Sequence, residues 1–164
     1  MAAVTWIKNE LAQHHVAYEE LRHPAAYTAQ AMARGEHVSG HRVAKVVVAI
    51  AQGEPLELVL PASRRVSFDL VGEALGTPDV RLATEDEIES YFTDCEMGAI
   101  PPFRHWQGVD VLMDASLKVD GDIILQAGTH RDALRMNFAD WFALVQPRIG
   151  SFSEPDFGRP EFRF

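Results

Sequence analysis

A chain of 164 residues is the size of one ordinary domain, long enough to bury a core without disulfide or metal staples. Its composition, 47% hydrophobic and 24% charged, is that of a soluble globular protein, and no run approaches the roughly 18–20 apolar residues of a membrane span. The net charge of −9 excludes a protein that coats nucleic acid through a generally basic surface, but leaves room for a local basic pocket gripping one end.

The N-terminal segment Met1–His15 is amphipathic and lacks the basic, apolar and cleavage regions of a signal peptide. Cys95 is the only cysteine, so an intrachain disulfide is impossible and a zinc site built on thiolates is ruled out. A reducing cytoplasm is the simplest compartment. Neither a membrane nor DNA is expected as a partner.

In chain order, Val4, Ile7 and Leu11 recur at helical spacing and predict a helix over about 4–15. Val16–Arg22 reads as a short strand, and Thr28 caps a second helix that stops near Gly35. Val43–Ala51 is the strongest strand. It is followed after Gln52-Gly53-Glu54-Pro55 by Leu56–Leu60, an antiparallel hairpin with a loop expected to exceed two residues.

Ser67–Leu75 predicts a helix ending at Gly76. Thr84-Glu85-Asp86-Glu87 is a capping box that opens a helix to about Tyr91. Val109–Met113 and Ile123–Gln126 read as strands with Asp120-Gly121 a natural turn between them. Ala133–Met136 reads as another strand, and Asn137 caps a last helix over Phe138–Val145. From Pro147 onward no period survives, which predicts an extended arm. The organisation expected is a domain over 1–147 and a tail over 148–164. The class is α+β, a mixed or antiparallel sheet curled like a barrel and flanked by helices.

Three features carry chemistry. Lys45 interrupts Val43-Ala44-Lys45-Val46-Val47-Val48, apolar on both alternating faces, where an unpaired charge is costly. Either the ammonium snorkels to the rim, or it faces a pocket that takes an anionic or carbonyl-bearing ligand. Gly98-Ala99-Ile100-Pro101-Pro102-Phe103 forces a fixed backbone path. It is either a rigid connection or a loop that points backbone groups into a cavity. Gly128-Thr129-His130 follows a strand end, where small residues leave room and a histidine can move a proton, although lone histidines commonly sit at surfaces or caps.

Cys95 reads as an inert buried thiol rather than a nucleophile. His37 and His41 flank Ser39-Gly40, which disfavours a helical metal pair, and no metal signature, phosphate loop or dinucleotide fingerprint appears, so no metal and no cofactor are expected.

From about His23 to Val145 the chain resembles the YbaK/EbsC/ProX-type aminoacyl-tRNA deacylases, which also occur inserted in bacterial prolyl-tRNA synthetases. The resemblance rests on Tyr27-Thr28-Ala29-Gln30, the strand bearing Lys45, Val59-Leu60-Pro61-Ala62-Ser63 and Val66-Ser67-Phe68-Asp69-Leu70. It continues through Arg81-Leu82-Ala83-Thr84, Gly98…Pro102-Phe103, Val111-Leu112-Met113-Asp114 and Ala127-Gly128-Thr129-His130, in that order.

The resemblance implies a freestanding editing enzyme that hydrolyses the ester of mischarged tRNA carrying a small amino acid. Its partners would be the aminoacyl-tRNA acceptor end and a cognate aminoacyl-tRNA synthetase. Lys45 matches the family's functional lysine, Gly98 and Pro102 match its Gly-x-x-x-Pro loop, and His130, with Gly128 and Thr129, matches a pocket position. Thr28 and Asp114 are implied nearby. Arg42, Arg64 and Arg65 are local cations that would meet the acceptor strand beside Lys45. Arg104, Asp94-Cys95-Glu96 and the tail depart from the family pattern. The competing reading is a noncatalytic module of the same fold that binds tRNA or a synthetase; a third is a pocket for a small metabolite.

Overall fold

The structure is a computed structural model that describes residues 2–22, 40–105 and 109–156. The expected second helix, with Thr28, lies outside these residues. Helix α1 spans Ala2–Gln13 and buries Ile7 and Leu11, one turn apart on one face. Its end reverses through His15, at φ 56°, into β1, Tyr18–Arg22.

β2 (Val43–Ala51) and β3 (Glu54–Pro61) pair antiparallel from Ala44↔Pro61 to Ala51↔Glu54. The connection is therefore two residues, Gln52 and Gly53, both at positive φ (51° and 82°), not the longer loop expected. Primed turns of this kind match the twist of the strands, so Glu54 and Pro55 enter the ladder at once.

β4 (Arg64–Val66) leads to α2 (Phe68–Leu75), capped by Ser67 accepting from Leu70 N and ended by Gly76 at φ 72°. β5 (Val80–Leu82) precedes α3 (Glu85–Tyr91), whose Thr84–Glu87 capping box closes in both directions. β6 (Asp110–Asp114), β7 (Asp122–Gln126) and β8 (Asp132–Asn137) follow, then α4 (Phe138–Val145), capped by Asn137. β9 (Arg148–Gly150) and β10 (Ser153–Pro155) complete the described chain.

Eight strands form one open mixed sheet in the order β1-β8-β7-β2-β3-β6-β9, with β5 also on β2. It does not close, which corrects the barrel-like expectation: β1 and β9 lie at the ends of this order. Asp120-Gly121 does turn the chain, but β6 and β7 are not each other's partners. They pair parallel with β3 and β2, on either side of the central hairpin. Strands apolar on both faces, as these are, sit inside a covered sheet with parallel neighbours.

One face carries Ala44, Val59, Met113 and Leu125 under α1 and α4, with Trp141 wholly buried. The other carries Ala49, Leu58, Leu60 and Leu112 under α2 and Phe152. The chain beyond Pro147 thus joins the body: β9 extends the sheet beside β6, Phe152 is core, and β10 pairs with β4.

Candidate functional site

The central strand β2 is bordered by β3 along nearly all of one side. On the other side β7 pairs only with Val43 and Ala44, and β5 only with Ala49 to Ala51. Lys45 to Val48 line the split between them. Among the described residues, no strand pairs with Lys45, Val46 or Val47 on that side.

Ala44 and Leu125 are register partners and share the α1–α4 core, so alternation turns Lys45 to the opposite face. Leu60 lies across from it on β3, and the β7 pairing stops one residue earlier, at Ala44↔Leu125, before Gln126. Lys45 is half-buried. Burial holds its ammonium below the ordinary lysine value, and the Asp156 carboxylate, at the end of the described tail, partly offsets that. Gln126 is 3% exposed, and its Nε2 has no hydrogen-bond partner.

β7 runs from Gln126 straight into Ala127-Gly128-Thr129-His130, and this loop is zipped to the glycine–proline loop. Glu96 N donates to Gly128 O (2.7 Å), Gly128 N donates to Ala99 O (3.0 Å), and His130 N donates to Glu96 Oε1 (2.8 Å). Gly98 at φ 82° and Gly128 at φ 100° supply the left-handed backbone this needs. The fold therefore brings Gly128 and His130 to the stretch that carries Gly98, after the strand that neighbours β2, and Gly98's amide takes no part in the zipper.

Other expected residues are spent on architecture. The Pro102 carbonyl accepts from the buried Trp141 Nε1 (2.9 Å), which anchors the loop to the core. Thr129 Oγ1 donates to Asp132 Oδ2 (2.6 Å) and accepts from the amides of Arg131 and Asp132, closing its own turn. Asp114 shares the sheet face of Lys45, two strands away, but Oδ1 accepts from Phe152 N and Ser153 N while Oδ2 accepts from Ser116 N and Oγ. It holds the tail that brings Asp156 to Lys45.

The three arginines are also engaged. Arg42 donates to the carbonyls of Asp120 and Asp122, Arg64 donates to Ser153, and Arg65 pairs with Glu154 at 2.9 Å.

A second polar cluster, absent from the sequence reading, lies on the opposite face of the same hairpin. Glu57 is fully buried, with His105 Nδ1 3.2 Å from its Oε2. His105 Nε2 is 3.4 Å from Cys95 Sγ, Cys95 Sγ donates to Asp94 Oδ1 (3.3 Å), and Trp6 Nε1 donates to Asp94 Oδ2 (2.7 Å). Burial raises Glu57 from 4.5 to about 7 against the pull of His105. Burial, with Asp94 and Glu57 nearby, pushes the Cys95 thiol up. The cysteine is therefore a protonated thiol rather than a nucleophile. Among the described residues, Asp94, Cys95 and His105 are the group whose ligand atoms converge as a metal would require, all within 4.8 Å of one another. Glu57 interrupts Leu56-Glu57-Leu58 as Lys45 interrupts its strand, so the same rule would have found it.

A family model for the aminoacyl-tRNA editing domain matches residues 23–144. No curated protein matches the chain. Among solved structures, one of a hypothetical protein superimposes with a TM-score of 0.81 at 19% identity, covering 90% of this chain and 99% of its own. Another, described as a "putative trans-editing enzyme for prolyl tRNA synthetase", gives 0.79 at 20% identity, covering 94% and 98%. A third, a "putative signal transduction protein" from Marinobacter aquaeolei VT8, gives 0.67 at 13% identity and contains the fold within 30% of its length. These likenesses show a shared fold. No helix among the described residues is long and apolar enough to cross a membrane. With the family match spanning the split, the lysine strand and both zipped loops, the chain belongs to the aminoacyl-tRNA editing domain family.

Proposed function

We propose that the protein hydrolyses the ester of mischarged tRNA carrying a small amino acid. What supports this reading is the editing-domain match over residues 23–144, together with a half-buried lysine on β2 and two hydrogen-bonded loops that follow the neighbouring β7. An ammonium in a low-dielectric opening is a strong site for the phosphate or ribose of an acceptor end.

In this mechanism Lys45 fixes the terminal nucleotide. The Gly98 stretch lays its backbone against the aminoacyl ester, and His130 stands at the other wall, its amide held by Glu96. Water attacks the ester carbonyl with help from the substrate's own ribose hydroxyl, so the protein's contribution is positioning and electrostatics. A small pocket suits the task, because a synthetase site discriminates a missing methylene by only about 1–3 kcal/mol and leaves smaller side chains to be removed elsewhere. A cognate synthetase is the natural supplier of that substrate.

The test is deacylation of a panel of mischarged tRNAs by the wild type and by Lys45→Ala. Hydrolysis of a small aminoacyl-tRNA is expected, falling by about 10²–10³-fold in the variant, the scale of losing one preorganised charge-stabilising group. An inert wild type that still binds tRNA would replace this reading with the noncatalytic module.

A further inference from the structure

We propose that Asp94, Cys95 and His105 form a site for one zinc-type divalent cation, with a water in the fourth position. The cluster lies on the sheet face opposite Lys45, at the root of the loop that carries Gly98, and the proposed hydrolysis makes no use of it.

Two of the three ligand–ligand edges have the length of those in a zinc tetrahedron. Zinc bonds of about 2.3 Å to sulfur and about 2.0–2.1 Å to nitrogen or oxygen give ligand–ligand edges of about 3.5 Å. Cys95 Sγ stands 3.3 Å from Asp94 Oδ1 and 3.4 Å from His105 Nε2, and all three ligand atoms lie within 4.8 Å of one another. A thiol, an imidazole and one carboxylate oxygen are a donor set for zinc rather than for magnesium or calcium, which take oxygen.

Two ligands are also oriented from behind. Trp6 Nε1 takes Asp94 Oδ2 and leaves Oδ1 facing the cluster. His105 Nδ1 lies 3.2 Å from Glu57 Oε2 and 3.1 Å from the Phe103 carbonyl, which turns Nε2 toward Cys95. A carboxylate behind a histidine is the usual support for a metal-bound imidazole, fixing its tautomer and raising its basicity.

An independent observation points the same way. Glu57 is fully buried, and its second oxygen, Oε1, has no hydrogen-bond partner. Its other oxygen backs His105 from the Nδ1 side, and the Arg104 guanidinium that acts on it is hydrogen-bonded to the carbonyls of Val145, Val109 and Gln146. A divalent cation on Nε2 would strengthen the imidazole's hydrogen bond to Glu57 and so offset part of the buried charge. On binding, the Sγ–H bond breaks, its proton passes to solvent and the thiolate takes the metal. The ion would then tie α1, through Trp6, to the stem of the 96–103 loop.

The experiment is titration of chelator-treated full-length protein with zinc chloride, and separately with cobalt chloride, for the wild type, Cys95→Ser, His105→Gln and Glu57→Gln. One equivalent per chain is expected in the wild type. The Cys95→Ser variant should bind at least about 100-fold more weakly, and Glu57→Gln about 10–100-fold more weakly, as for other groups supporting a ligand. Cobalt should produce a thiolate-to-metal charge-transfer band that Cys95→Ser abolishes, a signal that the other six histidines cannot generate. Zinc uptake unchanged in Cys95→Ser, no cobalt–thiolate band, or no binding at all would overturn the proposal and leave the cluster as a hydrogen-bonded thiol. The near-isosteric serine keeps the fold, which circular dichroism checks.

Discussion

The hairpin of β2 and β3 buries one charged residue on each face, and the two are treated in opposite ways. Glu57, on the α1 side, is wholly enclosed and handed to His105, Cys95, Asp94 and Trp6 in a chain of side chains drawn from four segments. Lys45, on the other side, is half-buried on a strand that is unpaired on one side at that point among the described residues, and Gln126, on the neighbouring strand, has a buried amide nitrogen without a partner. Folding has given the first charge a histidine at one oxygen and left the other oxygen without a hydrogen-bond partner. It has left the second partly offset by the Asp156 carboxylate. Buried polar groups cost stability unless paired, so the half-buried ammonium and the Gln126 amide are costs that the described packing on this face leaves in place.

The sharpest way to break this contrast is to unpair Glu57. His105→Ala removes the buried carboxylate's partner and is expected to lower stability by about 3 kcal/mol, measured by denaturant unfolding with chelator present. Replacing both members, as in Glu57→Leu with His105→Leu, should recover most of that loss, because an apolar pair leaves nothing unsatisfied. A small cost for His105→Ala alone would mean that the carboxylate finds solvent, and the two faces would no longer differ in kind.

Gln126→Leu tests the other face and should act with the opposite sign. Removing an unpaired buried amide is expected to raise stability by about 1 kcal/mol, or roughly 2–4 °C in Tm for a chain of this size. If Nε2 is held back for the substrate's carbonyl or hydroxyl oxygen, KM for the edited aminoacyl-tRNA should rise about tenfold in the same variant. A destabilised Gln126→Leu would show that the amide serves the fold and not the ligand.

Much of this was legible in the chain. Thr84–Glu87 and Asn137 are local devices, and each caps the helix it was expected to cap; Gly76 ends its helix as expected, while Ser67, expected as its first residue, is its cap. Lys45 announced itself as a charge inside an apolar run, and the two loops did so through glycine and proline. What sequence could not supply is pairing at a distance. Nothing local distinguishes a β6–turn–β7 hairpin from two strands inserted on either side of β2–β3. Cys95 and His105 are ten residues apart with two prolines between them, a spacing that matches no metal or triad signature. Asp114 looked like a pocket residue because it ends a family motif. Its carboxylate instead binds the amides of Phe152 and Ser153, from a tail that carries no period of its own.

That tail yields the smallest expected effect and the most direct test of the lysine's environment. Asp156 partly offsets the burial of Lys45, so Asp156→Asn should lower the lysine's pKa further below 10.5. A depressed lysine carries a stability penalty while it is charged, full below its folded pKa and gone above the unfolded value of 10.5, so stability rises with pH across that window. The variant should deepen the penalty at neutral pH, by less than about 1 kcal/mol given Lys45's partial exposure, and converge with the wild type as pH approaches 10.5. The same change should move the alkaline limb of any Lys45-dependent hydrolysis toward lower pH, because the ammonium is lost sooner. If neither limb nor stability moves, the carboxylate does not act on Lys45, and Asp114's hold on the tail serves packing alone.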